Sequence, residues 1–299
     1  MRLTRRGFLH SGAIVSAGLF SGLSLPRAFA EDAAGRPDLA VARGPSPAKN
    51  CLAAVAALGG FSRFVHEGDR VVIKPNPVGS SPPERAINTH PDMVEVVVRE
   101  CLRAGAREVV VLSHDSAAGF QGNGLTAAIE GAGGIVKALS QHDQFAEILV
   151  PRGRTLARVE IAKELHTAEV FINMPIVKHH AGSRVTVAMK NLMGVNWDRM
   201  YFHQTDLHRC IAEITSAVPH TLIIADANHV LLTNGPVGPG RVIAPAQVIA
   251  GVDPVAVDAF ATERYFGLKP ESVGHIKTAY DIGVGEIDRA KLKIHEFDA

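Results

Sequence analysis

The chain has 299 residues, 46% of them apolar, enough for one large domain or two small ones with a sizeable core. Residues 1–30 hold four arginines and no acid, which leaves 27 Lys and Arg against 30 Asp and Glu in the remainder. That slightly negative body argues against nucleic acid as a partner, because phosphate backbones select a basic face.

The first element is an export signal. TRRGFLH (4–10) is a twin-arginine motif, followed by the apolar stretch SGAIVSAGLFSGLSL and by Ala28-Phe29-Ala30, an A-x-A cleavage site. The expected partner is the twin-arginine export machinery, the expected location is periplasmic or otherwise exported, and the mature chain is expected to start near Glu31. The stretch is too short and glycine-rich for a membrane span, and no later segment is apolar enough, so no stable span is expected after cleavage.

Residues 31–60 read as a lead-in segment, rich in Pro, Gly and Ala and ending in a short helix from Cys51 to Leu58. A single α/β domain is expected over 61–299. It opens with the β-branched strand VVIKPN (71–76), the amphipathic helix PDMVEVVVRECLRAGA (91–106) and the strand EVVVLSHDS (108–116). Strand, helix and strand at this spacing form a βαβ unit, which implies a mostly parallel central sheet with helices on both faces. LTAAIEGAGGIVKAL reads as a glycine-interrupted helix, AEILVP as a short strand, and RVEIAKELHTAEVFINMP as a helix start leading into the strand VFINMP. DLHRCIAEITSAV (206–218) is a helix, LIIADANH a strand, and AQVIAGVD (246–253) another strand. PVAVDAFATERYFGL (254–268) is a helix capped by Asp253, KTAYDIGVGE a short helix, and KLKIHEF a final strand. A small inserted subdomain is expected around 117–165.

In an open parallel sheet, ligands bind beyond the carboxyl ends of the strands. Lys74 and Asn76 follow one strand, His114, Asp115 and Ser116 a second, and Asn173 with Lys178, His179 and His180 a third. Asp226, Asn228 and His229 follow a fourth, and Asp253 a fifth. A polar residue at any single strand end is most simply a residue leaving the core; their shared position points to a cleft. Asp258, inside the apolar VAVDAFA, needs a partner if it is buried.

Two ligand classes stay open. Lys74, Lys178 and Lys190, with Asn76, Asn191 and Asp258, suit a small anionic ligand. His179, His180 and His203 with nearby carboxylates would suit a divalent metal, although neither H-E-x-x-H nor another diagnostic spacing is present. Adjacent His179 and His180 point apart in an extended chain, so one at most faces a given site. His180 or His203 would transfer protons, with Asp226 or Asp258 orienting the base or binding a metal. The three cysteines, Cys51, Cys101 and Cys210, are far apart with no C-x-x-C, so no self-contained iron–sulfur cluster is expected.

KPN (74–76), INMPIVKHHAGSRVTVAMKNLMG (172–194), NGPVGPGR (234–241) and GVDPVAVDA (251–259) together resemble the bacterial family known as domain of unknown function 362. The resemblance runs from about residue 70 to the C-terminus. It implies a Lys and a His within the signature, here Lys178 with His180 or His179, then Lys190-Asn191, and His203 downstream. Some members carry ferredoxin-type cysteine runs; this chain lacks them, so a redox role would need a partner protein. The sequence therefore allows an exported enzyme, redox-linked or hydrolytic, acting on a small anion. The alternative is a non-catalytic periplasmic binding or maturation factor for an iron–sulfur or other redox partner.

Overall fold

The structure, a computed structural model, describes residues 35–114 and 117–299. The expected signal segment, 1–30, lies outside the described residues, as do Asp115 and Ser116. The elements, in chain order, begin with β1 (Leu39–Arg43), α1 (Pro47–Ala57), β2 (Arg70–Lys74), α2 (Pro91–Arg103), β3 (Glu108–His114), α3 (Ala117–Gln121), α4 (Leu125–Gly131) and β4 (Ile135–Leu139). A small hairpin, β5 (Phe145–Leu149) and β6 (Arg158–Ala162), precedes β7 (Val170–Asn173), β8 (Ile176–His180), β9 (Arg184–Thr186), α5 (Ala188–Asn191) and α6 (Arg199–Gln204). The chain closes with α7 (Leu207–Ala217), β10 (Leu222–Leu231), β11 (Val242–Ile243), β12 (Gln247–Gly251), α8 (Pro254–Phe266), α9 (Gly274–Asp281) and β13 (Ile294–Asp298).

Among the described residues, eleven strands form one sheet along the path β13-β1-β12-β10-β7-β2-β3-β4, with β8 and β11 on β10 and β9 on β8. Strands β7, β2, β3, β4 and β10 run parallel, as the βαβ reading requires. The alternation of side chains builds two cores. Val71 and Ile73 of β2 pack with α1 and α2 on one face; Val72 packs with α7 and α9 on the other. Helix α2 buries Met93, Val94, Val97, Val98 and Cys101, a stripe at helical spacing.

Three local readings need correction. The segment GGIVKAL continues not as helix but as β4, paired with β3. RVEIA is β6, which pairs with β5 rather than starting a helix. Strand β12 runs antiparallel to both neighbours, β10 and β1. The stretch read as a lead-in also does more than lead in: β1 is an internal strand between β12 and β13, and α1 covers the sheet.

The excursion expected around 117–165 contains the separate two-stranded sheet β5–β6. Its loop is tied down by Glu213 of α7, a buried carboxylate that accepts backbone N–H bonds from Arg154 (2.8 Å), Thr155 (3.0 Å) and Leu156 (2.7 Å). Such bonds satisfy a charge that burial would otherwise make costly. Among the described residues, no helix is long and apolar enough to cross a membrane.

Candidate functional site

The carboxyl ends of β2, β3 and β8 open into a cleft of about 340 Å³, closed on the far side by α5 and α6. Its wall carries Lys74 from β2 and Asn76 just beyond it, Ser113 from β3, Lys178 and His180 from β8, and Lys190 and Asn191 from α5. Arg199, Met200 and His203 come from α6, and Pro236 from the glycine–proline loop. Among the described residues lining the cleft there is no Asp or Glu. A larger depression, about 550 Å³, lies between α8 and α9, but exposed charges of both signs line it.

Period-two alternation along β8 decides which histidine takes part. Lys178 and His180 face the cleft; His179 faces away and its Nδ1 accepts a hydrogen bond from the Gly235 N–H at 3.0 Å. Gly235 leaves no room for a side chain there, because a Cβ would run into the His179 carbonyl.

The cleft floor is a network of amides and ammonium groups. Asn191 Oδ1 accepts from Asn76 Nδ2 at 2.8 Å and from Lys74 Nζ at 3.2 Å, while its Nδ2 donates to Asn173 Oδ1 at 2.8 Å and to the Lys74 carbonyl at 3.1 Å. Asn76 Oδ1 in turn accepts from Lys178 Nζ at 2.9 Å. Each amide uses both ends, so the floor has one hydrogen-bonding arrangement and the lysines are pre-positioned. Gly194, the glycine of K-N-L-x-G, is required by this packing: a Cβ would sit 2.6 Å from Lys74 Nζ and 2.9 Å from Ser113 Oγ.

Crowded cations under low exposure lose their protons more readily. Burial, reinforced by Lys190 and Lys74, pulls the Lys178 pKa down to about 7; burial and then Arg199 bring Lys190 down to about 8. Lys190 has no hydrogen-bond or ion-pair partner among the described residues. Burial first, then Lys190 and His203, pushes His180 down to about 3, so its ring is neutral. Its Nδ1 accepts backbone N–H bonds from Gly182 (3.1 Å) and Ser183 (3.2 Å), so the ring proton sits on Nε2. His180 therefore presents a donor to the cleft. His203, stacked on it with ring centroids 6.2 Å apart, also has a lowered pKa, from burial and then Lys190 and Arg199.

The donor set does not fit a metal. A neutral imidazole with its proton on Nε2 and its Nδ1 already occupied has no lone pair to give, His179 faces elsewhere, and cations surround the space. Among the described residues no three His, Cys, Asp or Glu side chains form a group able to hold a metal ion. The three-histidine arrangement expected from the sequence is not assembled, and His180 is not placed as a proton acceptor.

Two carboxylates expected at the site stand outside it. Asp226 Oδ2 accepts from the His90 N–H at 2.8 Å, and Oδ1 accepts from Asn228 N at 3.0 Å and Nδ2 at 2.7 Å. It pins β10 to the start of α2 and is not available to orient a catalytic base. Asp258 accepts the N–H groups of Ala188 (2.7 Å) and Met189 (3.2 Å), holding the first turn of α5 from below. Burial raises its pKa to about 8 against the pull of those donors. It positions Lys190 rather than touching a ligand. Asp253 is the cap of α8, with Oδ1 accepting from Val255 (2.8 Å) and Ala256 (3.0 Å). His114 stacks on Trp197 outside the cleft. Sequence reasoning missed Ser113 and Arg199; for Arg199 a signal existed, since it precedes His203 by four residues and shares its helix face.

Residues 71–263 match the family model described as Domain of unknown function (DUF362). The chain belongs to this family. A thylakoid-associated protein of Synechocystis sp. is 28% identical over 242 residues, covering 71% of this chain and 73% of that protein. The lactate racemase apoprotein of Thermoanaerobacterium thermosaccharolyticum aligns at a TM-score of 0.48 with 12% identity, covering 82% of this DUF362 chain and 56% of the racemase. A Thermotoga maritima protein of known crystal structure aligns at 0.45 with 11% identity, over 79% of this chain and 58% of that one. The chain thus spans less than two thirds of either solved protein.

Proposed function

We propose that this DUF362 chain is a small-anion-binding protein whose cleft holds the acid group of its ligand on Lys74, Lys190 and Arg199. The observation that carries this reading is the convergence of Lys74, Lys190 and Arg199, with the Lys178 amine beside them, on one cleft whose described lining contains no carboxylate. Removing several like charges from water without counter-ions is unfavourable, and an oxyanion supplies the missing partner through charge-assisted hydrogen bonds. His180 Nε2–H and the Ser113 hydroxyl add neutral donors beside it. His203, on the exposed rim and beside His180, is the residue we assign to proton transfer. Residues 4–30 support export by the twin-arginine route, so the ligand would be met outside the cytoplasm.

The test is a thermal-shift series on the folded chain with phosphate, sulfate, pyruvate and succinate against chloride at equal ionic strength. At least one oxyanion should raise Tm saturably at pH 7. If all four behave as chloride does, the proposal fails.

A further inference from the structure

Lys178 can be accounted for hydrogen by hydrogen. It is 1% exposed, and its Nζ donates to Asn76 Oδ1 at 2.9 Å and to the Ile87 carbonyl at 2.7 Å. Among the described residues it has no third acceptor. Two donated hydrogens are the full complement of a neutral amine, whose remaining tetrahedral position holds a lone pair. An ammonium would bring a third N–H with no protein acceptor into a buried site beside other cations. The same side chain forms part of the cleft wall.

We propose that Lys178 Nζ is a nucleophile that condenses with the carbonyl carbon of a 2-oxo acid whose carboxylate rests on Lys190 and Arg199. This deepens the anion-binding reading of the same cleft and rests on it. The lowered pKa of Lys178, set by burial and by Lys190 and Lys74, leaves much of the amine unprotonated near neutrality, the condition for attack. In the first step the lone pair forms a C–N bond and the carbonyl oxygen becomes the hydroxyl of a carbinolamine, taking up the proton released by nitrogen. In the second, an ammonium of Lys74 or Lys190 donates a proton to that hydroxyl, the C–O bond breaks, water leaves and a protonated imine remains. No electrons are gained or lost. The carboxylate requirement follows from the cations, and the small volume of the cleft favours a short acid.

The experiment incubates the full chain with pyruvate or with lactate, which shares the carboxylate but lacks the carbonyl, adds sodium borohydride, and maps peptides by mass spectrometry. Thermal shift is recorded in parallel without borohydride. The expected result is a reduced adduct on Lys178, heavier by pyruvate less one oxygen atom, with pyruvate only, while both acids raise Tm. Thermal shifts without an adduct, or with adducts on Lys190 or on exposed lysines such as Lys269 instead, overturn the nucleophile and leave the anion cleft standing. Neither shift nor adduct overturns the 2-oxo acid as ligand, and overturns the anion cleft as well if phosphate, sulfate and succinate also behave as chloride. Lys178→Arg keeps a cation but removes the nucleophile, so the adduct should vanish while the lactate shift persists. Should that variant fail to fold, the wild-type peptide map decides by itself.

Discussion

Lys178→Met removes the group whose charge the cleft resists most, and its effect on pH-dependent stability can be worked out. In the folded chain burial holds the Lys178 pKa at about 7, whereas the unfolded chain restores the ordinary value, 10.5. Between those two values the unfolded state binds more protons. Stability therefore rises with pH from about 7 toward 10.5, and the unfavourable contribution is fully present below pH 7. Integrating that difference from pH 7 to pH 9 gives about 2 kcal/mol gained through this one group. Other ionisable groups titrate as well, so the quantity to measure is the difference between wild type and Lys178→Met. Urea unfolding of both at pH 7, 8 and 9 supplies it. The wild type should gain about 2 kcal/mol more than the variant across that range. Stability curves that stay parallel would refute the claim that Lys178 sits uncompensated in the cleft.

Four further outcomes are expected. Gly194→Ala drives a Cβ against Lys74 and Ser113, and should lower stability by roughly 1–3 kcal/mol and remove the oxyanion response, both read from thermal melts. Asp226→Asn should lower Tm yet leave oxyanion affinity within about twofold, since Asp226 serves backbone N–H groups outside the cleft; a selective loss of binding would return it to the site. Oxyanion affinity should fall as pH rises from 7 to 9, as Lys190, whose pKa burial and Arg199 lower to about 8, loses its proton, and titrations at three pH values would show it. Arg5→Lys with Arg6→Lys should keep the protein in the cytoplasm; normal export of the double variant would contradict the signal reading.

Much of the architecture was legible because periodicity reports burial. The β-branched run of β2, the opposite facing of His179 and His180 and the amphipathic stripe of α2 were visible in the residue order, as was the proline-and-aspartate start of α8. Periodicity is silent on strand direction, so nothing in AQVIAGVD marked it as antiparallel. Nor does it separate a short strand from a short helix when the pairing partner is distant, as for β4 and β6. At the site, the rule that ligands lie beyond strand carboxyl ends picked out Lys74, Asn76, Lys178 and His180, and all four line the cleft, whereas His114, His179 and Asp253 do not; Lys190, Asn191 and His203 reach it from the helices α5 and α6, which that rule does not address. It failed for Asp226, and the expectation of Asp258 as a ligand contact failed likewise, because a buried carboxylate is as readily consumed by backbone N–H groups as by a ligand. Only the hydrogen-bond partners tell the two apart. The tautomer of His180, which decides against a metal, depends on the loop at 182–183 folding back on the ring and had no signature in the residue order.

Lys190 offers the most direct test of the anion cleft, because it is a cation without a partner among the described residues and its removal leaves no protein group unsatisfied. Calorimetric titration at pH 7 and low salt, with whichever of phosphate, sulfate, pyruvate or succinate shifts Tm most, should give one site per chain in the wild type. Lys190→Met should weaken that Kd by about 10- to 100-fold, the worth of one charge-assisted hydrogen bond, with Tm unchanged or raised. Equal Kd values for the two proteins would contradict the account.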